Sequence, residues 1–493
     1  MPIPEHILAV ERPVNTVVIM YGKNKDRFAV RQRLGCKRVN GRNLPVNGPT
    51  IGHIVDGRYV PMDTKRPVGS SGVDLKDWAD VVLCDRLFSP ILGELGEVYA
   101  AGDALKIYLI SILRVCNKGI RDHELKEAYE TGFLSELYPG VALSRNTVSK
   151  FLNDLGKACS KIREFMGNRA GRIALDHHVL VDGTLKSNES KVNTLSDFSR
   201  KAKTKGTRDI SVLYAFDLEA MEPICSKCFP GNMLDVTSYE AFIRENKITK
   251  GIIVADKGFP SSAAGEHFSS NPDLHFLNPL KRNAKAIRDC CMLEFTDILS
   301  GHEGITCRKE KYGDRWLYSY RDAWKAGKEE RDYLKREKDR NAGHDHDLFV
   351  GKQRSFGTVV LESDVDMTPE VAYKTYEKRW EIELVMRYYK SACEFDETRV
   401  HDDYSVYGSE FCDFLSSLLT YRLINAFDKV SLLDGHTYKN LMSVLKRAKK
   451  AKADGGEWNL IKINPSHEEI LKALGLIEAD TQTKRSVGRP KKS

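Results

Sequence analysis

Three acidic residues far apart in the chain, Asp182, Asp256 and Glu383, stand in contexts suited to holding a divalent cation. Asp182 follows the apolar run Val179-Leu180-Val181 and precedes Gly183-Thr184, which predicts a carboxylate at the end of a buried strand. Asp256 repeats the arrangement after Gly251-Ile252-Ile253-Val254-Ala255 and is followed by Lys257-Gly258-Phe259. Carboxylates at strand ends of an α/β sheet lie where ligands bind, and two or three of them together repel unless a cation compensates. An aspartate after a strand is equally a common turn-former or helix cap, so neither decides the matter alone.

The third acid tips the balance. A helix is predicted to begin at Thr368-Pro369, with a capping hydroxyl and a proline in the first turn. Along it Tyr376, Arg379, Glu383 and Lys390 follow at intervals of three, four and seven. At about 100° per residue they fall within an arc of roughly 60°, spread over about 21 Å of helix. A solvated face can hold such residues, but that does not account for a tyrosine, two cations and a carboxylate aligned on one side.

Together, Val181-Asp182-Gly183-Thr184, Ala255-Asp256-Lys257-Gly258-Phe259 and Tyr376-x2-Arg379-x3-Glu383-x6-Lys390 resemble the DDE transposases of bacterial insertion sequences, in the branch that bears a tyrosine, arginine, glutamate and lysine signature. The resemblance covers roughly Asp182 to Arg422 and includes Pro230-Gly231-Asn232 with Asp235. It implies an α/β, RNase H-like core whose mixed sheet supplies Asp182 and Asp256 and whose later helix supplies Glu383. It also implies a largely β insertion between the second and third acids, which here are 383 − 256 = 127 residues apart.

The chemistry implied is cut-and-paste DNA transposition at the terminal inverted repeats of the chain's own element. Two Mg2+ ions per site, replaceable by Mn2+, would serve it: one activates a water or a 3′-hydroxyl, the other stabilises the leaving oxygen of an in-line phosphoryl displacement. Tyr376, Arg379 and Lys390 would grip phosphates at the element's end, near a base taken out of the stack. Arg forks onto phosphate, Lys acts as a point charge, and Tyr donates a hydrogen bond or stacks. The implied partner is double-stranded DNA, both element ends and target, and the pairing of two ends implies a homodimer. No small-molecule cofactor is expected. A related nuclease or resolvase that cuts without joining would use the same carboxylates, and a regulator could bind DNA on this fold without catalysis.

The elements that must position these residues divide the chain into stretches. Residues 1–70 read as a basic β-rich region, with strands at Thr16–Met20, Arg27–Leu34 and Ile54–Val60 and turns at Asn40-Gly41, Asn47-Gly48 and Asp56-Gly57. Residues 71–170 read as helical and DNA-binding. There the helix Asp122–Glu130 precedes a second one capped by Ser144, the arrangement of a helix-turn-helix exposing Arg145, Asn146, Ser149 and Lys150; a small helical bundle with a polar outer face would read the same. Residues 171–282 and 358–430 read as the two parts of the catalytic core, the first with strands at Val179–Asp182, Ser211–Asp217, Pro223–Phe229, Gly251–Asp256 and Leu274–Pro279. The insertion is 283–357, and 431–493 is a helical C-terminal region with a basic tail.

A chain of 493 residues with 41% hydrophobic and 30% charged residues is globular and large enough for several folded units. No apolar run is long enough to span a membrane, and residues 1–11 lack the pattern of a signal peptide, so a cytoplasmic, nucleoid-associated protein is expected. Eleven scattered cysteines fit reduced thiols. Cys225-Ser226-Lys227-Cys228 has metal-ligand spacing without a second pair, and His344-Asp345-His346-Asp347 lies in a polar loop. A net charge of +8 favours a polyanionic partner. The opening patch Arg27, Arg31, Arg33, Lys37, Arg38 and Arg42 suits phosphate contact or ordinary solubility. The tail Gly488-Arg489-Pro490-Lys491-Lys492 resembles the minor-groove core of an AT-hook, with Val487 where that motif usually has arginine; a basic end of non-specific affinity reads equally well.

Overall fold

A computed structural model of the chain describes residues 3–14, 16–22, 27–39, 42–61, 72–188, 190–199, 206–233, 235–255, 265–339, 345–379 and 397–478. Two compact units emerge, Met1–Asp74 with Lys452–Trp458, and Leu75–Ala451 with Asn459–Ser493.

The first unit holds a helical turn α1 (Glu5–Leu8) and an antiparallel sheet of β1 (Thr16–Tyr21), β2 (Arg27–Val39), β3 (Arg42–Val55) and β4 (Arg58–Pro61), in that spatial order. Its small core is Ile7, Val18, Val30 and Ile54. The Asp56-Gly57 turn joins β3 to β4 with positive φ at both residues (47° and 73°), the requirement of a tight hairpin reversal. Asn47-Gly48 is not a turn as its sequence suggests. It lies within β3, where the pairing slips between Arg31↔Thr50 and Arg33↔Asn47, so the glycine falls in a bulge instead of a reversal. Asn40-Gly41 lies outside the described residues.

The second unit begins within β5 (Val73–Asp77) and continues through six helices: α2 (Ala79–Gly96), α3 (Ala101–Cys116), α4 (Leu125–Thr131), α5 (Leu134–Leu137), α6 (Arg145–Lys157) and α7 (Cys159–Ala170). The sheet strands follow as β6 (His178–Ser187), β7 (Asp197–Phe198), β8 (Arg208–Asp217) and β9 (Glu222–Pro230), then α8 (Asp235–Glu245), β10 (Gly251–Ala255), α9 (Gly265–Ser270) and β11 (Leu274–Pro279). Residues 283–357 supply α10 (Lys285–Asp289), β12 (Asp297–Ile298), the hairpin β13 (Ile305–Tyr312) and β14 (Arg315–Asp322), α11 (Ala323–Asp339) and α12 (His346–Gln353). After β15 (Thr358–Ser363) come a helix over 369–379 (α13) and α14 (Asp403–Lys429), then α15 (Tyr438–Arg447), β16 (Lys449–Ala453), β17 (Asn459–Leu460) and α16 (Pro465–Ala473).

Ten strands make one mixed sheet in the order β12-β13-β14-β15-β11-β10-β6-β8-β7, with β9 on β8. The ladders β6–β10 and β10–β11 are parallel and the others antiparallel. The fold is thus mixed α/β, as expected, and the strands of residues 283–357 extend this same sheet.

One hydrophobic core joins the sheet to the preceding helices, because α14 is buried along its length and packs on α2, α3, α6 and β9. Its buried Ser416 and Thr420 satisfy their hydroxyls on carbonyls one turn back. The crossing with α6 is backbone on backbone: a Cβ on Gly156 would lie 1.7 Å from the Tyr404 carbonyl oxygen, and one on Gly408 2.0 Å from that of Leu152. Asn153 locks the crossing by donating to Asp402 Oδ1 at 2.7 Å, while Asp402 caps α14 through the Ser405 amide. No helix among the described residues is long and apolar enough to cross a membrane.

This crossing leaves no room for a methyl group. Gly156→Ala and Gly408→Ala are each expected to destabilise by about 1–3 kcal/mol or more, read as a lower Tm, because rigid backbone must move. Gly102→Ala on α3, with open space around it, should be neutral or stabilising.

Candidate active site

β6 is the strand on which the site is built. Val179, Leu180 and Val181 are fully buried between flanking strands, and Asp182 follows half-buried. The strand does not end there, contrary to the sequence reading. It runs five residues further to Ser187, because β8 pairs with every residue from Val179 to Ser187, Gly183 included. A lone glycine does not break a strand whose neighbour supplies the whole ladder.

On the other side the parallel partner is β10, with Val181 opposite Ala255. The Ala255 amide donates to the Oδ1 of buried Asn278 on β11 at 3.1 Å, which fixes the end of β10. Asp256 follows in the sequence and lies outside the described residues, as do Glu383, Lys390 and Arg489.

Asp182, Thr184 and Lys186 share one face of β6 by the two-residue period. The Asp182 carboxylate accepts from the Gly183 amide at 2.8 Å. Tyr214, its partner on β8, is buried, and so is Tyr421 of α14, whose hydroxyl is pushed well above its usual range by burial, then by Tyr214 and Asp182. Neither hydroxyl has a hydrogen-bond partner among the described residues.

Further along this face Lys186 is 1% exposed, its Nζ 2.6 Å from Glu410 Oε2 and 2.9 Å from Asp413 Oδ2. Asp413 Oδ1 in turn lies 2.7 Å from Arg114 of α3, which also reaches Asp122 at 3.2 Å and the Ser409 carbonyl at 2.9 Å. Thr398 donates to Glu410 Oε1 at 2.6 Å. Burial by itself would pull Lys186 down, but Asp413 and Glu410 outweigh it and hold the ammonium charged, well above the usual lysine range. Two buried cations thus face two buried anions. Sequence reading missed this network, though Lys186 lies one strand face along from Asp182 and Glu410 and Asp413 stand three apart on a helix.

Helix α13 opens as expected, with the Thr368 hydroxyl accepting from the Val371 amide. It is clamped to the start of β6: His178 Nε2 meets Thr375 Oγ1 at 3.3 Å, and Lys378 reaches Glu219 at 3.3 Å. Glu219 also takes His178 Nδ1 at 3.0 Å and the His178 amide at 2.7 Å. These bonds prevail over the opposing effect of burial and pull Glu219 down to about 2. Tyr376 and Arg379 are neighbours one turn apart, with the guanidinium 3.4 Å from the phenol oxygen and 5.9 Å from the ring centroid.

After residue 396 the chain is anchored at the opposite end of β6. Ser187 bridges Glu397, and the Thr398 amide donates to the Ser187 carbonyl at 2.9 Å.

His177, Asp217 and Glu219 bring ligand atoms within 4.8 Å of one another, a geometry able to hold a metal. Each atom is already engaged. Asp217 binds His177 at 2.7 Å and the amides of Glu219 and Ala220, while Glu219 serves His178 and Lys378. The cluster lies five strand residues, roughly 16 Å, from Asp182. It fixes the turn after β8.

The residues assigned to a helix-turn-helix fall on α6, where Arg145, Asn146, Ser149 and Lys150 are all exposed. Arg145 and Ser149 border a cleft of about 1010 Å³ that also contains Arg121, His123, Arg399 and His401. Ser144 precedes α6, but its hydroxyl bonds Thr147 Oγ1 at 2.8 Å instead of capping a backbone amide. Cys225 and Cys228 are buried thiols raised by desolvation, and Asp345 caps α12.

Asp413→Ala should cost about 3–5 kcal/mol in a urea titration, since it leaves Lys186 and Arg114 buried with too little negative charge. Lys126→Ala, at an exposed pair with Glu130, should cost less than about 0.5 kcal/mol. The depressed Glu219 carboxyl stabilises the fold above its ordinary value of 4.5 and loses that contribution as pH falls toward about 2. The stability gap between the native chain and Glu219→Gln should therefore shrink across that window; a constant gap would show that the clamp does not carry the shift.

Residues 174–406 match the family model of the transposase DDE domain. Among solved structures, the chain is similar to piggyBac transposase in a synaptic complex with hairpin DNA, at 14% identity over 76% of this chain and 82% of that one, with a TM-score of 0.40. Mos1 transposase in a paired-end complex with the left transposon end also matches, at 14% identity over 32% of this chain and 59% of that one, with a TM-score of 0.15. No curated protein matches at a significant level. The stretch that carries Asp182 is thus similar to the transposase DDE domain over 406 − 174 + 1 = 233 of the 493 residues.

Proposed function

We propose that the chain cuts and rejoins DNA at the terminal inverted repeats of its own insertion sequence, with Asp182, Asp256 and Glu383 as the metal-holding triad. We place it in the branch marked by Tyr376, Arg379, Glu383 and Lys390. The observation that carries this reading is the anchoring of α13 and residue 398 at the two ends of β6. Thr375 touches His178. Glu383 follows Thr375 by eight residues, about 12 Å of helical rise, and Asp182 follows His178 by four, about 13 Å of strand, so the reading requires helix and strand to run in the same direction. The Val181–Ala255 pairing supports the same register for Asp182 and Asp256, which follow those residues in sequence.

The DDE family implies a divalent metal, and the residues fit one. Three carboxylates supply hard oxygen donors, Asp182 is half-buried beside buried phenols, and close carboxylates require a compensating cation. Mg2+ at two positions, with Mn2+ able to substitute, would activate the attacking oxygen and stabilise the leaving one. The protein's own share is to hold the carboxylates on a rigid strand and helix and to orient the phosphate. Arg379 and Lys390 bind the phosphate at the element's end, and Tyr376 packs on Arg379 and presents its hydroxyl or ring. On α6, Arg145, Asn146, Ser149 and Lys150 contact the duplex, and Arg489 adds affinity through the tail. Two copies pair the two ends.

Asp182→Asn, Asp256→Asn and Glu383→Gln should each reduce cleavage and transfer of a pre-cut end by at least about a hundredfold while DNA binding persists. Full activity in any one of them would sink the triad, and cleavage without joining in the native chain would make it a nuclease. Arg379→Ala and Lys390→Ala should each lower the salt dependence of end binding by the equivalent of about one phosphate. Imperfect inverted repeats flanking the gene, bordered by short direct duplications, would identify the substrate.

A further inference from the structure

Residues 27–55 carry Arg27, Arg31, Arg33, Lys37, Arg38 and Arg42 and no aspartate or glutamate, in a chain with 69 acidic against 77 basic residues. They form β2 and β3, paired from Phe28↔Ile54 out to Val39↔Arg42. β1 pairs only with Arg27 to Gln32, and β4 only with Gly52 to Val55. Beyond them the pairs from Arg33↔Asn47 to Val39↔Arg42 have no third strand among the described residues, a two-stranded ribbon roughly 20 Å long. The core of Ile7, Val18, Val30 and Ile54 lies where the four strands overlap. Three register shifts, at Val30/Arg31, Arg31/Arg33 and Arg33/Gly35, mark where the ribbon leaves the sheet, and such bulges increase twist.

Two paired strands are marginal by themselves, and a run of cations without anions repels itself. Both costs are offset by a polyanion. Arg31 and Arg33 are exposed, and Arg31 is held by its Nε donating to Thr50 Oγ1 at 3.2 Å. The major groove of B-DNA, about 12 Å wide, admits a two-stranded ribbon with phosphates on either side.

We propose that the β2–β3 ribbon is a DNA-contacting arm that takes duplex DNA, its cations on the phosphates. This rests on the chain's acting on DNA, not on which carboxylates are catalytic. The test reads equilibrium binding of the full chain to a labelled duplex of about 30 base pairs in EDTA, between about 50 and 200 mM salt. Failure of the triad would not alter that readout, which needs no metal and no cleavage.

The variant R31Q/R33Q/K37Q/R38Q/R42Q should bind at least about tenfold more weakly at 100 mM salt, with the log–log salt slope reduced by about 0.9 for each phosphate no longer neutralised, three or more in all. K325Q/K328Q/R331Q/K335Q/R336Q, which removes five exposed cations from α11, controls for net charge. R33Q/K37Q, a milder change, should give an intermediate slope and guards against misfolding of the larger variant. An unchanged slope in the folded ribbon variants would overturn the proposal. So would an equal weakening in the α11 control, or a ribbon dependence seen with an RNA duplex or an acidic polypeptide but not with duplex DNA.

Discussion

The second unit depends on one buried exchange of charge, in which Lys186 and Arg114 share Asp413 and Glu410 closes the set. Two cations and two anions taken from water cost more than an apolar replacement would, so their presence is poorly explained by stability. What they provide is register. Lys186 cannot move one residue along β6 without facing the opposite side of the sheet and leaving two carboxylates unpaired. Asp182 lies on the same strand face four residues earlier, so the constraint that holds Lys186 against α14 also fixes the direction of the Asp182 carboxylate.

The same helix carries this constraint outward. α14 meets α3 through Arg114 and Asp413, and meets α6 where Gly156 and Gly408 allow backbones to touch. Arg145, Asn146, Ser149 and Lys150 therefore belong to an element packed into the same hydrophobic core as β6, and their exposed face cannot shift freely relative to that strand. A DNA duplex seated there would be held at a fixed distance from the site. That differs from a reading domain on a tether, and it follows from two glycines and a buried carboxylate.

Much of this was legible. The apolar runs before Asp182 and Asp256 predict adjacent buried strands, and the ladder joins Val181 to Ala255. Thr368-Pro369 predicts a capped helix start, and the Thr368 hydroxyl caps it. The errors share one cause, since local signals were read without the neighbouring strand. Gly183 looked like a stop until β8 paired across it, and Asn47-Gly48 looked like a turn until β2 absorbed it as a bulge. Lys186, Glu410 and Asp413 were out of reach for a stronger reason: their partners are more than two hundred residues apart in sequence. No period within one element reports such a contact.

Charge is used in two opposite ways in this chain. Around β6 it is buried, balanced and directional, which would suit the proposed site, where carboxylates are presented to a metal and phosphate at one geometry. On β2 and β3 it is one-signed in the sequence and carried on two strands paired with each other, which gives long-range attraction with little geometric demand. Buried pairs resist screening and persist as salt rises, whereas exposed unpaired cations lose their hold on phosphate. A chain that cuts and rejoins DNA, as proposed above, has to find its ends among much other DNA and then perform chemistry on them. The first task calls for reach and reversibility, the second for rigidity, and no single electrostatic arrangement supplies both.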